Sequence, residues 1–434
     1  MKTLKFSVVG LLIATAVLSV AFRRMDSFSK TRPFIPPKGC VFRTVMGEES
    51  SDSGFIYKTP STVKLSVDRG LAWIARAQNS NGGWGAGSHA RQDVFDPHAV
   101  SADPATTAMV AMALLRSGSA LKNGVYASQL SKALNFLLES VEQSPKNSLN
   151  ITELTGTQIQ TKLGANIDVV LTAQFFSNIL DLTKSDPALE ARMKSALSKC
   201  VDKIQRAQAD NGSMVGAGWA GVLQSSFATN ALEAAQAQGV AVSDTILEKS
   251  REFQKKNYDP KTGNVNTDMG AGVVLYSVTG SARASAKEAR KVKEEIQRAK
   301  RDGRLAESAA PSAENLRKIG YAEGEALKHA TAYEVYESAK VEAQRDDVIS
   351  GFGNNGGEEF LSYLQTGESM IIGKDYSWKN WYDNTSVRLI KIENNDGSWN
   401  GHHCITSPVF CTATCLLILS VNNDVEKLLK QGEQ

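Results

Sequence analysis

From Thr62 onward apolar residues recur at helical spacing, and they do so in two alternating registers. In one register the apolar positions form a stripe: Val63, Val67, Leu71 and Ile74 first, then within Leu130–Val141, Met193–Gln208, Leu247–Lys256 and Trp381–Ile392. In the other, nearly every face is small or apolar: Ala105–Leu115, Ile167–Leu182, Ser225–Gln236, Met269–Val278 and Cys411–Val421. A striped helix lies against a core, whereas a helix apolar all round is buried on all sides. The alternation predicts hairpins of an outer amphipathic helix and an inner helix, with the inner helices converging on one axis. Small side chains are required where several helices crowd together.

The turns inside these hairpins repeat. Outer helices end at Gln78 and Gln208, followed by Asn81-Gly82-Gly83-Trp84 and Asn211-Gly212-Ser213; a related turn is Asp396-Gly397-Ser398-Trp399. Recurrence at such wide spacing is the mark of a repeat architecture. Asp103-Pro104 and Ser407-Pro408 start two inner helices, since a capping oxygen followed by proline is a strong start signal. Trp84, Trp219 and Trp399 are expected as wedges between hairpins. Residues 282–347 depart from the rhythm: they are rich in Ala, Lys, Glu and Arg and predict solvated helices, an arm or an elongated hairpin.

The repeat resembles that of the terpenoid cyclase and protein prenyltransferase superfamily, over about residues 60–424. The Gln-then-Asn/Asp-Gly turns quoted above carry the resemblance, together with Thr107-Ala108 and Thr412-Ala413 at the inner helices. It implies an all-α fold, an α/α toroid, here with the charged insertion at 282–347. It does not imply the family's chemistry. The Asp-x-Asp-Asp acid and the Asp-Asp-x-x-Asp cluster are absent; Asp93-Val94-Phe95-Asp96 and Asp346-Asp347 have other spacings. The prenyltransferase branch binds zinc through Asp, Cys and His at a toroid mouth, yet the order of ligands here does not match residue by residue.

Composition adds location. Lys2 and Lys5 precede an uncharged run over 6–22 that Arg23-Arg24 closes, and Ser19-Val20-Ala21 offers a cleavage site. Residues 1–24 thus read as a signal peptide or an N-terminal membrane anchor, 25–60 as a linker, 61–424 as the toroid and 425–434 as a tail. Either reading of 1–24 puts the bulk of the chain outside the cytoplasm. A net charge of +3 without a basic block argues against nucleic acid as partner. The oligomeric state and any envelope partner are not encoded in these features.

Candidate chemistry gathers near the end of the chain. Two of the five histidines stand side by side in His402-His403-Cys404, between a Trp turn and a helix start, with Cys411 one turn inside. His and Cys are preferred zinc ligands, and a helix N-terminus lowers a thiol pKa. The alternative is a structural Cys404–Cys411 disulfide in a non-catalytic binding or scaffold protein of the cell envelope. Closure of a ring would bring Asp103 and His98 towards this loop. The glycine-rich stretch Gly351–Gly357 with Glu358 and Glu359 is a ligand loop or a tight turn; Gly353, Asn354 and Asn355 would offer backbone N–H groups to a ligand. Trp399 borders the same region. The expectation is a small-molecule pocket at the mouth where inner helices begin, with zinc or a thiol assisting any reaction.

Overall fold

The computed structural model describes residues 55–351 and 355–433. The chain divides at Ile56–Tyr57. Of the first unit only Phe55 and Ile56 are described, so the segments expected as leader and as most of the linker, and Cys40, lie outside the described residues.

The second unit opens with α1 (Ser61–Arg76), α2 (Pro104–Arg116), α3 (Ala127–Gln143), α4 (Gln158–Leu163) and α5 (Ile167–Ile179). Next come α6 (Pro187–Arg206), α7 (Gly221–Ala237), α8 (Asp244–Lys255), α9 (Val274–Arg301), α10 (Ala313–Lys318) and α11 (Glu323–Glu342). The chain ends with α12 (Asp346–Ile349), α13 (Gly357–Ile372), α14 (Trp378–Lys391), α15 (Pro408–Leu419) and α16 (Val425–Glu433). The all-α expectation holds: among the described residues β pairing is confined to isolated bridges.

Six helices form a closed inner ring in the order α2, α5, α7, α9, α13, α15, with α15 returning to α2. All run the same way. At their starts Ala105 N–H donates to Asp168 of α5, Tyr276 Oη of α9 donates to Glu359 of α13, and Gly357 N–H reaches the carbonyl of Ile405 just before α15. At their ends Arg116 of α2 donates to the carbonyl of Leu417 on α15 and pairs with Glu368 of α13. The two openings of this ring are called here the amino mouth and the carboxyl mouth. The outer helices α1, α3, α6, α8, α11 and α14 back the ring.

The repeated turns explain the closure. Gly82, Gly212 and Gly397 all have φ near +90°, and a Cβ would strike Lys132, Lys249 and Arg69 respectively. Each turn is therefore pressed against the next outer helix, and the last turn against the first helix, α1. Gln78 and Gln208 tie the same seam by donating to carbonyls of Gln129 and Ile246. Trp84 and Trp399 are buried identically: each indole N–H donates to a carbonyl ten residues back, Ile74 or Leu389, at 2.8 Å.

Three expectations change. The charged segment is no separate arm: its first part continues the inner helix as α9, which packs along α11. With Leu316 of α10 the two share a small core of Val292, Ile296, Ala299, Ala326 and Ala330. Half of those six residues are alanines, which leaves the stripe too weakly apolar to stand out among Lys and Glu. The tail is helix α16, whose Val425, Leu428 and Leu429 are buried. And the ring begins before residue 61, since Tyr57 donates to Asp383 while Asn422 holds Thr59. No single described helix is long and apolar enough to cross a membrane.

Candidate metal centre

The loop Asn400–Ser407 enters α15 at the amino mouth. It is fixed from three sides. Gln158, at the start of α4, accepts from the Thr406 and Ser407 N–H groups at 2.8 and 3.1 Å. Gln92 donates to the Cys404 carbonyl at 2.6 Å, and His402 N–H donates to the Asn355 carbonyl at 2.9 Å. Held this way, Cys404 adopts φ of +61°, left-handed backbone that a non-glycine residue rarely takes.

The constraint sets three side chains together. One ligand atom each from Glu358, His403 and Cys404 lies within 4.8 Å of the others. Glu358 comes from the first turn of α13 and is 2% exposed. Burial and the neighbouring Glu359 push its carboxyl up to about 7. Burial, then Glu358, pushes the Cys404 thiol up to about 12. The expected acidic thiol is thus corrected: carboxylates already occupy the helix starts whose dipoles would have favoured a thiolate. Without a cation, Cys404 keeps its proton beside Glu358.

The donor set fits zinc. Carboxylate oxygen, imidazole nitrogen and thiolate sulfur are its ligand types, and three protein ligands leave a fourth position open, as in catalytic sites. A divalent cation would also relieve the charge concentrated at Glu358 and Cys404, with the thiol proton released on binding.

The other expected residues sort as follows. His402 is exposed and stands outside the three-ligand group. Cys411 is buried in α15 with its thiol directed to the Ile405 carbonyl at 3.4 Å, and burial raises its pKa. Cys200, Cys404, Cys411 and Cys415 are all free, so the Cys404–Cys411 disulfide is not formed. Asp103 caps α2 through Thr106 N–H at 2.7 Å and takes Ala86 N–H as well, a buried structural role. His98 is exposed on a short 3-10 turn capped by Asp96, and no contact among the described residues joins it to Cys404. Glu359 is occupied by Gly356 N–H and the Tyr276 hydroxyl. Asn355 accepts from the Tyr363 hydroxyl through its side chain and from His402 N–H through its carbonyl, and Trp399 is a buried wedge whose indole N–H goes to Leu389. Gly353 and Asn354 lie outside the described residues.

Residues not anticipated complete the mouth. His89 pairs with Gln92 through Nδ1, and burial and Lys162 lower its pKa. The Lys162 ammonium sits 3.3 Å from the centroid of the Trp219 ring. Trp219, expected as a wedge, is 60% exposed. Its glycine-rich surround explains why: Gly216 and Gly218 fold against Ala165 and the Lys162 backbone, which leaves the indole outside. A shallow cavity of about 390 Å³ lies there, lined by Gln160, Thr161, Gly216 and Trp219.

No family model matches the chain, and no curated protein does. Among solved structures it is similar to the type II terpene cyclase MstE from Scytonema in its apo form. That pair shares 13% identity over 84% of this chain and 98% of the other, with a TM-score of 0.43. A variant of MstE in complex with geranylgeranyl dihydroxybenzoate gives 13% identity, the same coverage and a TM-score of 0.42. So loose an overlap carries no argument about the site. The toroid rests on the helix contacts of this chain itself.

Proposed function

We propose that this protein is an exported or membrane-anchored toroid that binds a small molecule at its amino mouth and acts on it with a zinc ion held by Glu358, His403 and Cys404. One observation carries the reading: ligand atoms from α13 and from the loop before α15 meet within 4.8 Å in a strained, triply anchored loop. Zinc in such a site supplies a Lewis acid and lowers the pKa of a bound water. The chain's own groups prepare the site. Gln158 and Gln92 hold the loop, Glu359 and Tyr276 fix the start of α13, and burial of Glu358 keeps bulk water from its carboxylate. Trp219 and Lys162 offer an incoming molecule an aromatic face beside a cation, suited to an apolar or sugar-like substrate.

Metal analysis of the purified chain tests this. About one zinc per chain is expected, lost in Cys404→Ala and in Glu358→Gln and kept in His402→Ala. Protein that neither carries zinc nor takes it up on titration would overturn the proposal, as would equal loss in His402→Ala. Zinc that binds while no small molecule does would leave a structural centre in a scaffold protein.

A further inference from the structure

A second, larger cavity is at the opposite end of the ring from the His-Cys loop. It measures about 930 Å³ and lies where the inner helices end, with α16 along its edge. That volume is within the range that encloses small molecules. Its wall is apolar where the helices face the axis: Met109 and Met112 of α2, Phe227 of α7, Leu364 of α13 and Leu417 of α15.

The wall mixes six cations with five carboxylates, and Arg283 is the most buried of the cations. Arg283 of α9 lines the cavity, is 5% exposed, and its Nε has no hydrogen-bond partner. Its guanidinium shares a single carboxylate, Glu233, at 3.3 Å with Arg251 at 2.7 Å and Lys287 at 3.5 Å. Three cations thus meet one carboxylate; the side chains of Arg251 and Lys287 are 31% and 20% exposed, so Arg283 is the buried one and the one that lines the cavity. Glu288, the next carboxylate acting on Arg251, is already joined to Lys255. Lys427 of α16 also lines the cavity, and burial lowers its pKa even though Asp424 and Asp181 favour its charge. Excess buried positive charge is costly unless something neutralises it.

We infer that the carboxyl-mouth cavity is a binding site for an amphipathic anion, its apolar body against Met109, Phe227 and Leu417 and its acidic head at Arg283. The ion pairs that Arg116 makes with Glu368 and Asp424 leave that arginine satisfied, so Arg283 is the anchor.

Calorimetric titration of the full chain with decanoate, decyl phosphate and decanol tests the inference. Both anions should bind roughly tenfold or more tightly than the alcohol, the effect of one charged hydrogen-bonded contact. Whichever anion binds tighter identifies the head group. Arg283→Gln should remove the preference for the anions and leave decanol unchanged. Ala234→Phe, which fills the cavity from α7, should weaken all three and keeps the test decisive if Arg283→Gln does not fold. Equal binding of acid and alcohol, no binding, or indifference to Ala234→Phe would each overturn it. Zinc content, read on the same samples, should not change, so this site and the amino-mouth centre stand or fall separately.

Discussion

At the amino mouth the buried titratable groups are mostly acids, Asp103, Asp168, Glu358 and Glu359, with Lys162 the buried base among them. At the carboxyl mouth the groups that bind helix ends are bases and amides: Arg116 on the Leu417 carbonyl, Lys427 on Asn178 and Gln238 on Ser177. The cause is shared by every helix in the ring. Parallel inner helices expose their unpaired N–H groups at one opening and their unpaired carbonyls at the other, so acceptors collect at the first and donors at the second. Neutralising these groups overshoots. The amino mouth is left with carboxyls pushed up to about 7 at Asp168 and Glu358. The carboxyl mouth is left with three cations on Glu233. A cation suits the first opening and an anion the second, which reverses what the helix dipoles alone would favour.

The sharpest way to break the contrast is at Arg116. Arg116→Met leaves Glu368 and Asp424 without their cation in a largely buried site, and a loss of roughly 3–5 kcal/mol in denaturant unfolding is expected. A loss below 1 kcal/mol would mean that water already serves these carboxylates.

The two ends should also differ in their response to pH. Asp168 has a raised pKa through burial first and Asp103 second, so the folded chain holds a proton there that the unfolded chain releases. Its stabilising contribution is complete below the ordinary carboxylate range and disappears as pH rises through about 7. The scale is about 1.4 kcal/mol per pKa unit. Glu233 has the opposite sign. Although burial would raise its pKa, Lys287, Arg283 and Arg251 together hold it well below the usual range, so its contribution is lost only as pH falls through that depressed value. Melting temperatures of wild type and Asp168→Asn should differ in slope from pH 4.5 up to about 7, the wild type losing stability relative to the variant, and run parallel between there and pH 8; parallel curves throughout would remove the proton from Asp168.

Gln158→Leu probes the anchoring of the His-Cys loop. It strands the Thr406 and Ser407 N–H groups and should cost about 1–3 kcal/mol. Zinc affinity should fall with it, measured by competition with a chromophoric chelator. Smallest of all is Trp219→Ala, a change of under about 0.5 kcal/mol in stability because the indole is outside the core. A large loss there would restore Trp219 to the wedge role of Trp84 and Trp399.

The sequence by itself determined five of the six hairpins, their order and the closure of the last on the first; the sixth, α11 with inner helix α13, was hidden because its outer helix lies in the charged segment. Inner and outer helices differ in local periodicity, and each Asn/Asp-Gly turn needs its glycine for a positive φ set within the turn, a signal visible in the chain even though the close approach of the next outer helix is not. It also marked the His-Cys loop and the caps at Asp103 and Ser407. Only the tertiary structure decided which partners reach that loop. Glu358 meets Cys404 from a different helix, and Gln92 and Gln158 anchor it across hundreds of residues, contacts that leave no trace in spacing. Burial likewise exists only in the folded ring. It raised the Cys404 thiol that sequence logic expected to be acidic, and it kept Trp84 and Trp399 while leaving Trp219 out. The continuation of α9 into the charged segment was hidden for a related reason: its core mixes a few aliphatic residues with alanines, whose contribution depends on how closely a neighbouring helix approaches.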